Sequence, residues 1–260
     1  MRNLVRWLLA SCCLTAVAAV SAQAPEPKPE ENEVTRLIDE HQQHFKAWRD
    51  TGTESGEPDP AKDPTREYMP KVKALVEKYA GQPPAITALR WIVNWAETLE
   101  KPDGEAQAKW ALERLARDHA ADPNLKDALR NTMYVAEFVG VQPLIGLYDR
   151  VIAKNPDKET VARAMYEKGA VIFRYGASEN ETSAQAKART QQALDLFRQI
   201  IKNYPGMAIV ERAESFIFEI EHLQIGMKAP DFAGTDAEEK DIKLADLRGR
   251  VVVLHFWGFW

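Results

Sequence analysis

The sequence predicts a mainly α chain: an array of helical hairpins followed by the first strands of an α/β segment. Three observations carry that reading. Apolar residues recur at three-and-four spacing through most of residues 34–223, with turns rich in Pro, Gly and Asp between the runs. A helix-ending pattern appears more than once in that stretch. After Leu223 the helical period gives way to short, β-branched runs.

Residues 1–22 read as an export signal. Arg2 and Arg6 give a positive start, Trp7 to Val20 an apolar stretch, and Val20-Ser21-Ala22 a small-residue cleavage site. Cleavage is expected after Ala22; cutting after Ala24 would put Pro25 next to the cut. The alternative is an uncleaved anchor, against which the apolar stretch falls short of the ~20 residues that span a bilayer; after cleavage no transmembrane span is expected. Both cysteines, Cys12 and Cys13, lie in this segment. Leu9-Ala10-Ser11-Cys12 also matches a lipoprotein cleavage box, which would leave a lipidated Cys12. Only a handful of apolar residues precede that box, fewer than the ~7–15 of an export core. A chain cleaved after Ala22 carries no cysteine, hence no disulfide framework and no cysteine metal site. Losing Arg2 and Arg6, with no Asp or Glu in the segment, takes the formal charge from −5 to −7. An acidic exported chain without a basic block is not a nucleic-acid binder.

Residues 23–33, with Pro25, Pro27 and Pro29 among repeated glutamates, cannot bury apolar surface and form a linker. The helical domain follows over 34–223. Leu89, Ile92, Ala96 and Leu99 mark one helix face, and Leu144, Ile145, Tyr148, Val151 and Ile152 another. Ala193, Phe197, Ile200, Ile201 and Tyr204 mark a third, ended by Pro205-Gly206. The longest break, Asp50 to Thr65, is a loop containing Gly52, Gly56, Pro58, Pro60 and Pro64.

Leu147-Tyr148-x-x-Val151-Ile152-x-x-x-Pro156 recurs as Leu196-Phe197-x-x-Ile200-Ile201-x-x-x-Pro205, and Leu112-x-x-Leu115-Ala116 reads as a third, degenerate copy. The pattern resembles the closing helix of tetratricopeptide-type hairpins, each of which needs a neighbour to bury its apolar stripe. The resemblance implies a tetratricopeptide-like helical array, a spacing module or a docking surface for another protein.

Residues 224–260 hold the chemistry. Ile225 to Phe232 leads into a charged turn at Asp236–Lys240, then Ile242-Lys243-Leu244 and Leu247-Arg248-Gly249. The run from Arg250 to Trp257 is apolar and β-branched, and reads as a buried strand. The ordered motif is Gly226-x-x-Ala229-Pro230-Asp231-Phe232, then Leu244-x-x-Leu247-Arg248-Gly249-Arg250-Val251-Val252-Val253-Leu254-x-Phe256-Trp257-x-x-Trp260. It resembles the opening of TlpA-like thioredoxin domains, the redoxin-type, exported thiol-disulfide oxidoreductases. The related peroxiredoxins share the Ala-Pro-Asp-Phe opening but match the Trp257-x-x-Trp260 ending less well.

The resemblance implies an incomplete thioredoxin-like α/β domain that stops before its Cys-x-x-Cys motif and before its cis-proline and later strands. No catalytic residue is therefore expected in the chain, and no exchange by it as written. Protein thiols and disulfides become partners once the domain is completed. Trp260 would immediately precede the nucleophilic cysteine and Trp257 lies three residues earlier, so both are expected to flank the active-site surface; core packing is the competing reading for these aromatics. His255 occupies the strand position where such domains often carry a buried Asp or Asn. An imidazole there could relay a proton, against the plainer reading of an ordinary strand histidine.

The remaining motifs carry less. His41-x-x-His44 puts two imidazoles on one helix face without a third ligand and reads as a solvated face, so no metal is expected. Nothing in the chain calls for a cofactor. Asn180-Glu181-Thr182 matches a glycosylation sequon by pattern alone. Trp91, Trp95 and Trp110 read as core. The localisation expected is bacterial periplasm or cell envelope. The alternative to a redox protein is a non-enzymatic exported helical scaffold with a vestigial thioredoxin-like end.

Overall fold

The computed structural model describes residues 32–52, 56–236, 238–256 and 258. The expected signal segment, most of the linker, Cys12, Cys13, Trp257 and Trp260 lie outside the described residues.

The described chain is mainly helical. Its helices are α1 (Glu33–Asp50), α2 (Thr65–Lys78), α3 (Pro83–Trp95), α4 (Asp103–Asp118), α5 (Lys126–Leu129), α6 (Ala136–Val139), α7 (Val141–Lys154), α8 (Lys158–Tyr175), α9 (Ser183–Asn203) and α10 (Ile209–His222). Local chemistry sets their ends. Asn32 caps α1 by accepting from the Val34 and Thr35 N–H groups at 3.0 Å, while Thr35 Oγ1 accepts from the Asn32 N–H. Thr182 and Gln185 form the same reciprocal box at α9, satisfying first-turn donors that otherwise have no partner. Lys154 ends α7 just before Pro156, and Asn203 ends α9 just before Pro205 and Gly206, whose φ is +83°.

Packing follows chain order. α1 lies on α2 and α3, α2 on α3, α3 on α4, α4 on α7, α7 on α8, α8 on α9 and α9 on α10, with α5 also resting on α8. The two clear copies of the repeated pattern, on α7 and α9, pack on α8. Leu147, Tyr148 and Val151 on one copy, and Phe197 and Ile200 on the other, are fully buried; Leu196, Ile152 and Ile201 are partly buried. Leu112 and Leu115 of the degenerate copy are fully buried as well. Burying a side chain of this size stabilises by about 1.5–3 kcal/mol, so neither copy is stable without α8 between them.

Two features bridge the array. Asn155 Nδ2 donates to the carbonyls of Ala120 (2.9 Å) and Asp122 (2.7 Å), tying the end of α7 to the loop after α4. Tyr148 Oη and Thr132 Oγ1 are 2.8 Å apart in the core, and Thr132 donates to the Leu129 carbonyl. Trp91 is buried, and Trp95 and Trp110 are partly buried. Lys73 and Arg114 lie over the Trp110 ring. Among the described residues no helix is long and apolar enough to cross a membrane.

Candidate functional site

The segment after α10 folds around the motif residues. Gly226, with φ +89°, turns the chain. Strands β1 (Ala233–Thr235) and β2 (Asp241–Lys243) then pair antiparallel, with Ala233 opposite Lys243, Gly234 opposite Ile242 and Thr235 opposite Asp241. Asp236 closes the hairpin: its Oδ1 accepts from the Glu238 and Lys240 N–H groups, and Glu239 takes φ 62°. Beyond β2, Leu244–Leu247 form a 3₁₀ turn. Asp231 Oδ1 accepts from the Ala245 N–H at 2.8 Å, and the Phe232 carbonyl from the Leu244 N–H at 3.1 Å.

Asp231 of the Ala-Pro-Asp-Phe stretch thus pins the start of the Leu-x-x-Leu-Arg-Gly stretch, so the hairpin joins the two halves of the motif. Asp231, Leu244, Leu247, Arg248 and Arg250 line an open hollow of about 230 Å³ between them. A carboxylate accepting a backbone N–H in the first turn substitutes for an N-cap. The sequence signalled the motif but not this role, because Asp231 and Ala245 meet only through the hairpin.

The expected buried strand does not form. Residues 251–256 are outside any strand, with Val251, Val253 and Phe256 at 97%, 86% and 89% exposure. A buried strand needs hydrogen-bonding neighbours and covered faces; among the described residues the sheet consists of β1 and β2 alone. His255 is exposed on this run. Trp257 and Trp260, the other two expected site-flanking residues, fall outside the described residues.

Two polar clusters lie inside the helical array. His41 is fully buried, which corrects the reading of a solvated face. Its ring meets Trp91 (4.8 Å), Trp95 (4.6 Å) and Tyr68 (5.2 Å) edge to face, and its Nε2 lies 3.1 Å from Thr65 Oγ1. Which side of α1 faces inward is decided by the aromatic residues of α2 and α3, not by the spacing within α1. Burial lowers the imidazole pKa to about 4, against the opposing pull of Asp63. His44 stays exposed, its Nδ1 2.9 Å from Tyr68 Oη. Tyr68 Oη also donates to Glu40, and burial and that carboxylate push the phenol up to about 12. Among the described residues no group of three or more His, Cys, Asp or Glu side chains is placed to hold a metal.

The second cluster centres on Glu167 of α8, 1% exposed. Its Oε1 accepts from the Asn131 N–H (3.1 Å) and its Oε2 from the Met133 N–H (3.4 Å), holding the turn in which Asn131 takes φ 65°. Burial raises its carboxyl pKa, partly offset by these N–H donors and by Arg163. Sequence reading missed this pair; its signal was the Arg163-x-x-x-Glu167 spacing inside an alanine-rich stretch.

The described geometry can pin and bridge backbone, and the described residues include no cysteine. Comparison with known proteins supplies the chemical context. The chain is 49% identical over 47 residues to the thiol-disulfide oxidoreductase ResA of Bacillus thuringiensis (strain Al Hakam), and equally to that of Bacillus anthracis. It is 41% identical over 46 residues to ResA of Geobacillus thermodenitrificans. These matches take in 18% of this chain and 26–27% of each relative, so the chain spans about a quarter of the length of the curated relatives it matches. No family model matches the chain, and no solved structure matches it.

Proposed function

We propose that this chain is the N-terminal part of an exported thioredoxin-like thiol-disulfide oxidoreductase. In that reading residues 224–260 open the redox domain, and the helices before them form a tetratricopeptide-like module that spaces it or docks its partner. The observation that carries the reading is the 49% identity over 47 residues to proteins of that activity. It is supported by the ordered motif from Gly226 to Trp260 and by the contact of Asp231 with Ala245, which joins the motif's halves.

The completed site works by thiol-disulfide exchange. A thiolate following Trp260, at a helix N-terminus that lowers its pKa, attacks one sulfur of a protein disulfide and expels the other as thiolate. A second cysteine thiolate then attacks the mixed disulfide, releasing the partner's reduced thiol and leaving both electrons' worth of oxidation as a disulfide in this protein. Trp257 and Trp260 flank that surface, and His255 stands near the resolving sulfur.

Sequencing the locus across the Trp260 codon tests this, with the mass and insulin-reductase activity of the native exported product. The expected result is a frame that continues into Cys-x-x-Cys and a product that reduces insulin with a dithiol reductant. A stop after Trp260 with a mass fitting residues 23–260 overturns it. One observation favours a second reading in that event: Cys12 and Cys13, the chain's two cysteines, both lie in the expected signal, which leaves a helical scaffold without thiols.

A further inference from the structure

A hollow of about 190 Å³ lies where α5, α8 and the first turn of α10 meet, lined by Lys126, Arg130, Glu159, Arg163 and the Met207–Ile209 backbone turn. Its charges are unevenly matched. Lys126 pairs with Glu159, and Arg130 with Asp127 at 3.1 Å. Arg163 is different: its side chain is 13% exposed, its Nη1 is buried without a hydrogen-bond partner, and the nearest carboxylate oxygen, on Glu167, stands at 3.7 Å. That oxygen already accepts from the Asn131 N–H.

A guanidinium carries five donors in a fixed fork, and burying one of them, here Nη1, without a hydrogen-bond acceptor is costly. Arg212 adds to the imbalance, since Arg163 and Arg212 both stand 5.7 Å from the Tyr166 ring. Burial weighs most on the Arg163 charge; Glu167 supports it, while Arg212 and Arg130 oppose it. Ala208, the N-cap of α10, provides no side-chain cap and lines the hollow together with Ile209, so the N-terminus of α10 adds to the positive potential.

We propose that this hollow binds phosphate, with the Arg163 guanidinium as its principal donor, Lys126 and Arg130 at its rim and the first turn of α10 behind. Its lining draws on α5 and the residue after it (Lys126, Arg130), on α8 (Arg163) and on the start of α10. That arrangement suits a tetrahedral dianion, whose oxygens point in several directions, better than a planar carboxylate, and a guanidinium fork fits phosphate oxygens two at a time.

Equilibrium dialysis of the full chain against radiolabelled inorganic phosphate at low ionic strength tests the site, with acetate as a competitor. The expected result is one saturable site that acetate displaces poorly, at least about tenfold weaker in Arg163→Met, weakened in Arg130→Met, and unchanged in Arg198→Met on the surface of α9. Arg130 is half exposed, so its variant decides the matter should Arg163→Met fail to fold by circular dichroism. The absence of saturable binding up to about 10 mM, equal losses in the Arg130 and Arg198 variants, or displacement by acetate as effective as by phosphate each overturns the proposal.

Discussion

Gly169 faces Phe197 so closely that a Cβ on Gly169 would sit 2.9 Å from both Cε1 and Cζ of the ring. Phe197 cannot yield easily, since it is fully buried and stacked on Phe216 at 4.9 Å. Gly169→Ala gains up to about 1 kcal/mol of helix propensity but overpacks the core at a cost of about 1–3 kcal/mol. The expected net effect is destabilising, read as a lower urea midpoint. Gly146, in mid-α7 with nothing within 4 Å of a Cβ, is the control; Gly146→Ala is expected to raise the midpoint. A rise in both variants would show that the α8–α9 contact is looser than described.

Burial of His41 makes stability depend on pH. Its folded pKa, about 4, lies below the ordinary value of 6.5, so the unfolded chain binds the proton more readily. The stabilising effect is complete above pH 6.5 and is lost as pH falls from there to 4. Between pH 7 and 5 the loss is about 2 kcal/mol. His41→Phe is expected to flatten the dependence of the denaturant midpoint over that range; an unchanged slope would remove His41 from the account.

Arg189 ties the end of α8 to the loop before α9. Its Nη1 donates to the Ile172 and Phe173 carbonyls at 3.2 and 2.7 Å, and its Nε and Nη2 grip Glu181 at 2.8 and 3.0 Å. Arg189→Met removes all four bonds; the Ile172 carbonyl still accepts from the Gly176 N–H at 3.1 Å, so the loss falls on the Phe173 carbonyl and on Glu181, at an expected cost of about 1–3 kcal/mol. Glu181→Gln keeps the carbonyl contacts and is expected to cost less than half as much. Thermal denaturation of both variants checks the ranking, and equal losses would place the effect in the ion pair alone.

The exposed run from Val251 to Phe256 presents apolar, β-prone backbone to solvent, a template for pairing with another chain. The double substitution Val251→Lys and Val253→Lys is expected to reduce self-association in size-exclusion chromatography with light scattering. The melting temperature of the helices should stay put, because neither valine contributes to the helical core.

The helices were legible because their spacing names the buried face: Leu144, Tyr148 and Val151, or Phe197 and Ile200, are inside as the period requires. His41 was not, since the aromatic side chains that enclose it come from other helices. Arg163 and Glu167 look in sequence like any solvent-facing ion pair; the spacing does not show the Asn131–Met133 turn, whose N–H groups reach Glu167. The run at 251–256 shows the opposite limit. β-branched composition declares a preference for strands, while a strand exists only where a neighbour supplies hydrogen bonds.

Because each helix rests chiefly on those beside it in sequence, few long chain closures are needed before contacts begin to form. Structure can then grow from α8 outward, as α7 and α9 zip onto it from either side at low entropic cost. The same economy runs in reverse. The first described helix, α1, held chiefly by α2 and α3, is the place where amide exchange should be fastest and where the array begins to peel.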